Sequence, residues 1–210
     1  MPSLFRRLTD AALAELKIDG VILDVGGDVR SGYRRALGGE HRFVTLNFSP
    51  QTQPDILFDL ASGSWPTPTR TYDAVLLINL LEHLYDYRQA LKESGRVLKA
   101  DGLIVIVVPF LHAVHPSPHD YFRYTAEALE RLLTESGFVG VKVTALGRGA
   151  WSAAAALPGR LLPSTLARLG EAAAALLDLI SRRLAFWLGK KYTGTEYPLG
   201  YLVVARKGQN

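Results

Sequence analysis

The sequence Val21-Ile-Leu-Asp-Val-Gly-Gly27 is a short apolar run that ends in an acid and two glycines. An uninterrupted apolar run of this length is typical of a buried strand in a parallel sheet. Residues without a side chain at the end of such a strand let the backbone come close to a bound ligand. A helix-like segment follows, so this part of the chain predicts a strand, a ligand-binding turn and a helix.

Three further apolar runs end in one polar residue: Thr45-Leu-Asn47, Ile56-Leu-Phe-Asp59 and Ala74-Val-Leu-Leu-Ile-Asn79. The carboxyl ends of parallel strands meet at one edge of a sheet, and ligands of open α/β sheets bind at that edge. The repeated pattern therefore predicts one ligand site built from several strand ends.

The remaining pattern predicts an α/β domain with a parallel sheet covered by helices on both faces. Helical spacing of leucines predicts a helix within 1–19. Another helix is predicted to begin at Thr125, a good N-cap. The chain is predicted to be one domain, with a sheet core at 20–146 and 199–207 and a helical insertion at 147–198. Strands are predicted at 21–26, 42–48, 55–59, 73–79, 102–108, 138–146 and 200–206, and further helices near 31–38 and 86–98.

The insertion contains an amphipathic helix at 166–188, with leucines and isoleucine on one face and charged residues opposite. This helix could lie over the sheet or against a second subunit. It could also lie in a membrane interface, since Trp187, Lys190 and Lys191 stand near its end. Charges interrupt it too often for a membrane-spanning segment, which needs about 18 uncharged residues. We therefore expect a homodimer or a peripheral membrane contact through 160–190.

Composition excludes several classes of protein. With 210 residues and 48% hydrophobic content, the chain can bury one sizeable core. The net charge of +4 comes from scattered basic residues, so no nucleic-acid partner is expected. The absence of cysteine excludes disulfides, thiolate zinc sites and a cysteine nucleophile. The first residues contain no apolar run typical of a signal peptide, and a cytoplasmic location, with peripheral contact at the inner membrane face, is expected.

A set of motifs occurs in a recognisable order: LDVGG, TLNFSP, DILFDL, YDAVLLINLLEHL, ESGRVLKADGLIVIVVPF and HDYFRYTAEALERLLTESGF. In this order they resemble a class I S-adenosylmethionine-dependent methyltransferase of the broad methyltransferase-11-like group. The resemblance covers roughly residues 20–146 and the last strand. It implies a Rossmann-like, doubly wound, mostly parallel seven-stranded sheet whose last strand is antiparallel. A dinucleotide-binding dehydrogenase would need Gly-x-Gly-x-x-Gly, a spacing that the segment after Val25 lacks.

The resemblance also implies the cofactor S-adenosyl-L-methionine, the product S-adenosyl-L-homocysteine and residues that bind them. Asp24 would accept a hydrogen bond from the cofactor ammonium, and Gly26 and Gly27 would admit the amino-acid and ribose parts. Asn47 stands where the family usually has an acid for the two ribose hydroxyls. An amide has one acceptor oxygen where a carboxylate has two.

At the other strand ends, Asp59 would accept from the adenine amino group while Leu60 packs on the ring. Asn79, Leu80 and His83 would border the methionine part of the cofactor. Asp73 and Glu82 also match recurrent family positions, but we expect only solvent-facing or helix-capping roles for them.

The loop after the fifth predicted strand contains His112, His115 and His119. Because this loop leaves the ligand-bearing edge, we predict His115 and His119 on the acceptor side, as bases or hydroxyl-orienting groups. His112 is expected to pack near the strand end, and Asp120 to pair with Arg123. We predict no metal site, since this histidine spacing on a proline-interrupted segment has no regular ligand geometry.

Taken together, the sequence predicts O-methylation of a sugar, glycolipid or small natural product by in-line methyl transfer, so the expected partner is a small-molecule or glycan acceptor. Similar sequences are associated with bacterial polysaccharide and secondary-metabolite pathways. The alternative is a non-catalytic scaffold of the same fold, motivated by Asn47 and by Asp28, which stands where many relatives have a glycine.

Overall fold

Seven strands form one mixed sheet in the computed structural model, which describes residues 2–28, 30–157 and 162–209. The strand order is β3-β2-β1-β4-β5-β7-β6, and β7 is antiparallel to both of its neighbours. This confirms the Rossmann-like sheet implied by the sequence resemblance. The strands are β1 (Gly20–Val25), β2 (His41–Asn47), β3 (Ile56–Leu57), β4 (Tyr72–Ile78), β5 (Leu98–Pro109), β6 (Phe138–Leu146) and β7 (Gly200–Lys207).

Helices cover both faces of the sheet, and each face has its own hydrophobic core. On one face, Leu91 and Leu129 pack against the strands; on the other, Leu13 and Ala153 do so. Buried apolar strands flanked on both sides by helices are the arrangement that continuous apolar runs predict. The helices are α1 (Leu4–Ala14), α2 (Tyr33–Ala36), α3 (Tyr87–Val97), α4 (Ala126–Glu135), α5 (Ala150–Ala156) and α6 (Ser164–Trp187).

Two elements near the ligand-bearing edge are shorter than predicted. Helix α2 has one turn instead of spanning 31–38, since the backbone bends back at Gly38, whose N–H donates to the Leu16 carbonyl at 3.0 Å. Strand β3 has two residues instead of five. Here the Asp55 carboxylate accepts from the Thr45 amide at 2.7 Å and so takes a position that a strand carbonyl would otherwise fill.

Two other elements match or extend the prediction. Thr125 caps α4, because its side chain accepts from the Ala128 amide at 3.2 Å. Strand β5 begins four residues before the predicted start, and its pairing with β4 shifts register between Leu98 and Leu103. The long β5 carries the chain to Pro109, where the histidine loop leaves the ligand-bearing edge.

Helices α5 and α6 form the insertion before β7. Asp178 of α6 is buried and accepts from the Trp151 and Ser152 amides at 3.0 and 2.9 Å, so it caps the start of α5. Only Ala174 and Asp178 of α6 are buried, because this helix packs on α5 instead of on the sheet. The predicted alternative in which its apolar face lies over the sheet is therefore wrong.

Within the described part of the chain, no helix combines the length and the hydropathy needed to cross a membrane.

Candidate functional site

The candidate site lies at the carboxyl ends of the central parallel strands. The strand order reverses between β1 and β4, and such a reversal opens a crevice at the sheet edge where ligands bind. Asp24 lies one residue before the end of β1, Asn47 ends β2 and Asn79 directly follows β4. Three of the predicted cofactor residues therefore share this crevice.

Asp24 is fully buried and already engaged with two side chains. The Tyr33 hydroxyl lies 2.8 and 2.9 Å from the two carboxylate oxygens, and the Arg34 Nε donates to Oδ2 at 2.8 Å. Burial raises the pKa of the Asp24 carboxyl, and the bonds from Tyr33 and Arg34 oppose this rise. A carboxylate has about four acceptor positions, so these two donors leave part of its acceptor capacity unused.

The glycine turn after β1 is packed too closely for side chains. Gly26 has φ +74°, and a Cβ there would lie 2.8 Å from the Leu80 Cδ1 atom. A Cβ on Gly27 would overlap the Asp24 carboxylate. Only glycine fits both constraints. Leu80 lies beside the turn, and its contact with the cofactor stays a prediction.

Asn47 stabilises the same turn from β2. Its amide nitrogen donates to the Gly26 and Gly27 carbonyls, both at 3.0 Å, and its oxygen accepts from the Ser49 amide at 3.0 Å. The side chain is nearly fully buried. The oxygen retains one acceptor position, so the contact of Asn47 with a ribose hydroxyl stays a prediction.

Two buried polar atoms near Asp24 and at the end of β4 have no hydrogen-bond partner among the described residues. These are the Arg34 Nη2 and the Asn79 Oδ1. The backbone of Asn79 also adopts φ +51°, and its backbone N–H donates to the Val107 carbonyl at 2.8 Å. Unsatisfied buried donors and acceptors are costly, so they mark positions where a polar ligand would restore the lost bonds.

The two residues predicted to contact adenine, Asp59 and Leu60, follow the end of β3. Asp59 is exposed and accepts from the Ala61 amide at 3.0 Å, while Leu60 is half-buried against the sheet core. Their contacts with an adenine ring stay predictions.

These residues fit S-adenosylmethionine on chemical grounds. The cofactor carries an ammonium and a carboxylate on its methionine part. Asp24 and the unsatisfied Asn79 oxygen match the ammonium, and the unsatisfied Arg34 nitrogen matches the carboxylate. The tight glycine turn leaves backbone, not side chains, beside the ligand.

A second group of side chains joins the segment after β4 to the histidine loop. Glu82 is fully buried, and neither carboxylate oxygen has a hydrogen-bond partner among the described residues. The Nε2 atoms of His83 and His115 lie 3.7 and 3.8 Å from the Glu82 Oε1 atom. The expectation that Glu82 faces solvent is therefore wrong. Asp73 instead ties the strands together by accepting from the Val21 amide and from Lys99, both at 2.8 Å.

Both imidazoles of this group are held through their Nδ1 atoms. The His83 Nδ1 lies 2.5 Å from the His119 carbonyl oxygen, and the His115 Nδ1 lies 3.1 Å from that of Ala113. Asp120 also fixes His115, since it accepts from the His115 amide at 2.8 Å. Burial lowers the pKa of His115, so this imidazole is neutral near pH 7.

The other polar residues of the loop are Asp120, Arg123, His112 and His119, and the acceptor-side role of His119 stays a prediction. Asp120 pairs with Arg123 at 2.5 and 2.8 Å, and this pairing holds the pKa of the Asp120 carboxyl well below its usual range. The predicted pair is therefore confirmed. The His112 and His115 rings meet edge to face, with centroids 4.6 Å apart, and His119 is exposed beside Tyr121.

The burial of Glu82 predicts a measurable pH dependence of stability. Burial raises the pKa of its carboxyl from 4.5 to about 8. The folded state therefore holds this proton more tightly than the unfolded chain. The resulting stability is fully present below about pH 4.5 and is lost as the pH rises through about 8.

We therefore expect the free energy of unfolding to fall more steeply with pH over this interval in the wild type than in Glu82→Gln. Urea denaturation at a series of pH values, in buffer containing a chelator, measures both slopes. Equal slopes for the two proteins would show that Glu82 does not titrate in the folded state.

A cavity of about 820 Å³ adjoins the histidine loop on the side of the insertion. Among the described residues it is lined by the start of α1, by Leu111 and His112, and by α5 and α6. Its wall mixes apolar side chains such as Phe5 and Leu162 with charged ones such as Arg7 and Glu171. Such a wall suits a ligand that has both polar and apolar parts.

Three functional residues were missed by the sequence analysis. Tyr33 and Arg34 cover Asp24, and Glu82 lies between two histidines. The signal for Tyr33 and Arg34 was their place in the helix directly after the glycine turn. The only signal for Glu82 was its match to a recurrent family position, because nothing in its neighbours along the chain indicates burial.

Comparison with known proteins identifies the family. Residues 1–143 match the sequence profile of a family described as "Methyltransferase domain". A "probable S-adenosylmethionine-dependent methyltransferase" of Mycobacterium tuberculosis is 30% identical over 90 residues, covering 40% of this chain and 33% of that protein. The demethylmenaquinone methyltransferase of Tropheryma whipplei is 26% identical over 126 residues, covering 54% of this chain and 52% of that protein.

A solved structure shares the fold. The phosphoethanolamine N-methyltransferase 2 of Haemonchus contortus, in complex with phosphomonomethylethanolamine and S-adenosylhomocysteine, superposes with a TM-score of 0.58 at 13% identity. The superposition covers 97% of this chain and 52% of that one. The chain thus spans between a third and about half of the length of these relatives. The profile match, the sheet topology and the crevice agree with the resemblance found in the sequence, and the chain belongs to the methyltransferase-domain family of class I, S-adenosylmethionine-dependent enzymes.

Proposed function

We propose that this protein catalyses S-adenosylmethionine-dependent O-methylation of a sugar, glycolipid or similar hydroxylated acceptor. The observation that carries the proposal is the placement of two sets of residues. Asp24, Arg34 and Asn79 offer partners for the methionine part of the cofactor, and the histidine loop follows the neighbouring strand β5. Imidazoles beside a methyl donor suit the removal of a hydroxyl proton.

The chemistry assigns separate tasks to the two sets. When bound, S-adenosylmethionine supplies a methyl group on a sulfonium: the acceptor oxygen bonds to that carbon as the carbon–sulfur bond breaks, releasing S-adenosylhomocysteine. Asp24 and Asn79 hold the donor in one orientation, and such alignment supplies much of the rate in displacement reactions. His115 and His119 orient the acceptor hydroxyl and accept its proton, because an unassisted alcohol is a weak nucleophile near pH 7.

Calorimetric titration tests the first half of the proposal, with S-adenosylmethionine and S-adenosylhomocysteine as ligands and NAD as a control. We expect micromolar binding of the first two and none of the third. A screen with a methyl-labelled donor then follows transfer to hydroxylated acceptors. A folded protein that binds neither adenosyl ligand would instead favour the non-catalytic scaffold.

The acceptor proposal also draws on the exposed face of α6. Between residues 172 and 191 every exposed charged side chain is basic, and the single acid, Asp178, is buried. Phe186 and Trp187 at the helix end are 82% and 85% exposed. The basic side chains are Arg182, Arg183, Lys190 and Lys191.

An exposed apolar helix face with exposed aromatic residues and, from residue 172 onward, only positive exposed charges matches the surface of an anionic bilayer. We propose that α6 lies on such a surface and brings the adjoining cavity close to a lipid-linked acceptor. The apolar side chains available for insertion are Leu166, Leu169, Leu176, Leu177, Ile180, Leu184, Phe186, Trp187 and Leu188.

Vesicle sedimentation tests this surface. We expect binding to vesicles of phosphatidylcholine with phosphatidylglycerol, weaker binding at high salt, and little binding to phosphatidylcholine alone. Arg182→Gln with Arg183→Gln should weaken binding about thirtyfold, since each basic residue near an anionic membrane contributes about 1 kcal/mol. Phe186→Ser with Trp187→Ser should weaken binding at all salt concentrations.

Val139→Ser is the matched control, because Val139 is an exposed apolar residue on β6, outside the insertion. Absence of vesicle binding, or equal binding to neutral vesicles, would overturn the membrane proposal. A dimer in sedimentation velocity that dissociates on the Phe186 and Trp187 changes would show that the face binds a second copy of the chain instead.

A further inference from the structure

Glu82, His83 and His115 form a cluster whose side chains are not explained by contacts within the chain. One ligand atom from each of the three lies within 4.8 Å of the others. The Glu82 carboxylate is fully buried and has no hydrogen-bond partner among the described residues. A buried carboxylate without a partner is among the costliest arrangements in a protein interior. Something that binds there would offset this cost.

The two histidines present lone pairs to the carboxylate. Because carbonyl oxygens only accept hydrogen bonds, the Nδ1 atoms facing the His119 and Ala113 carbonyls must carry the protons in the neutral imidazoles. The Nε2 atoms are then unprotonated, and these are the atoms that lie 3.7 and 3.8 Å from the Glu82 Oε1. Both separations are too long for hydrogen bonds. Once the Glu82 carboxyl releases its proton, three acceptor atoms face one another across this gap.

This is the arrangement of a metal site. Ligating histidines usually donate their other ring N–H to a carbonyl or carboxylate, which fixes the tautomer and the ring orientation. Here the two carbonyls hold both rings. In addition, the Asp120 Oδ2 atom lies 3.4 Å from the His115 Nδ1 atom. Around tetrahedral zinc, with ligands at about 2.0–2.1 Å, neighbouring ligand atoms lie about 3.3–3.4 Å apart. The two gaps to the Glu82 Oε1 atom therefore need to close by about 0.4 Å, and the gap between the imidazoles, which is within 4.8 Å, by at most about 1.4 Å.

We propose that Glu82, His83 and His115 bind one divalent transition-metal ion of the zinc class. Two imidazoles and one carboxylate favour such ions over magnesium or calcium, which prefer oxygen ligands alone. Three protein ligands leave a coordination position open, as in catalytic zinc sites. The sequence analysis predicted no metal site because it considered the loop histidines alone, whereas two of these ligands come from the segment after β4.

The use of this site in catalysis rests on the proposed function. An acceptor oxygen in the open position would have its pKa lowered, as metal-bound water has. In the loaded protein His115 is then a ligand that positions the acceptor, and His119, whose ring makes no hydrogen bond to the described residues, is the imidazole that remains to take the proton.

The test is metal binding by chelator-treated full-length protein, without cofactor or acceptor. Zn²⁺ is titrated in competition with a chromophoric chelator, and Co²⁺ is followed by its visible ligand-field absorption. We expect one ion per chain and Co²⁺ bands typical of a site with nitrogen and oxygen ligands. His83→Ala and His115→Ala should each weaken Zn²⁺ binding at least about a hundredfold, since even indirect ligand partners cost 10–100-fold.

His41→Ala is the matched control, because His41 lies at the amino end of β2, away from the cluster, and also holds its Nδ1 against a carbonyl. It should bind Zn²⁺ as the wild type does. Glu82→Gln, checked for folding by circular dichroism, should weaken Zn²⁺ binding as the histidine variants do. If this variant does not fold, the wild-type Co²⁺ spectrum tests the nitrogen and oxygen ligand set instead.

Folded wild type that binds neither ion, or binding that survives His83→Ala and His115→Ala, would overturn the proposal. So would equal weakening by His41→Ala. Titration of S-adenosylmethionine on the same chelator-treated sample keeps the two proposals distinct. Cofactor binding without metal binding would refute the metal site and leave the methyltransferase proposal standing.

Discussion

Replacing Asp24 with Ala is expected to abolish measurable binding of S-adenosylmethionine and to lower the free energy of unfolding by about 3–5 kcal/mol. The effect on stability follows from burial. Removing the carboxylate leaves the Arg34 guanidinium, itself largely buried, without its charged partner. The effect on binding follows from the loss of the buried carboxylate that matches the cofactor ammonium. Calorimetry and urea denaturation measure the two effects.

Asp24→Asn separates binding from stability. The amide keeps the shape and one acceptor oxygen for Tyr33 or Arg34, so most of the stability should remain. Loss of the negative charge should still weaken cofactor binding about 10–100-fold, since a hydrogen bond to a charged group contributes about 1.5–3 kcal/mol. Asp28→Ala, a partly exposed acid on the same loop paired with Arg30, is the control and should change neither quantity much. Unaltered cofactor affinity in Asp24→Asn would remove Asp24 from the site.

Replacing His115 with Ala is expected to lower kcat for methyl transfer by about 10²–10⁴-fold, the range for loss of a general base or of the group that orients the nucleophile. The dissociation constant of S-adenosylmethionine should stay the same, because His115 contacts Glu82, Asp120 and the loop and not the glycine turn. The acceptor found by the label-transfer screen serves for the assay, and His41→Ala serves as the control.

The pH profile adds a second criterion. Burial lowers the pKa of His115, so the imidazole is neutral and competent near pH 7 and becomes protonated only under more acidic conditions. In chelator-treated protein, wild-type kcat should therefore fall on the acidic side, and this decline should be smaller in His115→Ala, where only His119 remains to titrate. A variant with unchanged kcat, or with the same acidic decline as the wild type, would place His115 outside the reaction.

Much of the fold could be predicted because it depends on local patterns. The apolar run of β1 and the glycines that follow have the same meaning in any chain, since only a buried strand satisfies the first and only a tight turn requires the second. The ordered strand ends likewise predicted where Asp24, Asn47 and Asn79 meet. The lengths of α2 and β3 could not be predicted, because a single bond from Asp55 or Gly38 decides where each ends.

The partners of the site residues were beyond the reach of local patterns. Asn47 was predicted only at the ribose, and the structure adds that its side-chain amide donates to the glycine turn. Glu82 was expected at the surface, yet it lies buried against His115, 33 positions further along the chain. Such contacts depend on how two loops pack above neighbouring strands, and no periodicity records that packing.

The sequence by itself determined the family, the order of strands and helices, and the edge of the sheet where a cofactor would bind, because hydrophobic periodicity and glycine positions are local properties. The tertiary structure alone decided that Tyr33 and Arg34 cover Asp24, that Glu82 faces two imidazoles and that α6 packs on α5 with its leucines outward. The physical reason is the same in each case. Amphipathicity and charge specify what a side chain requires from its surroundings, and only the packing of distant segments specifies which group meets that requirement.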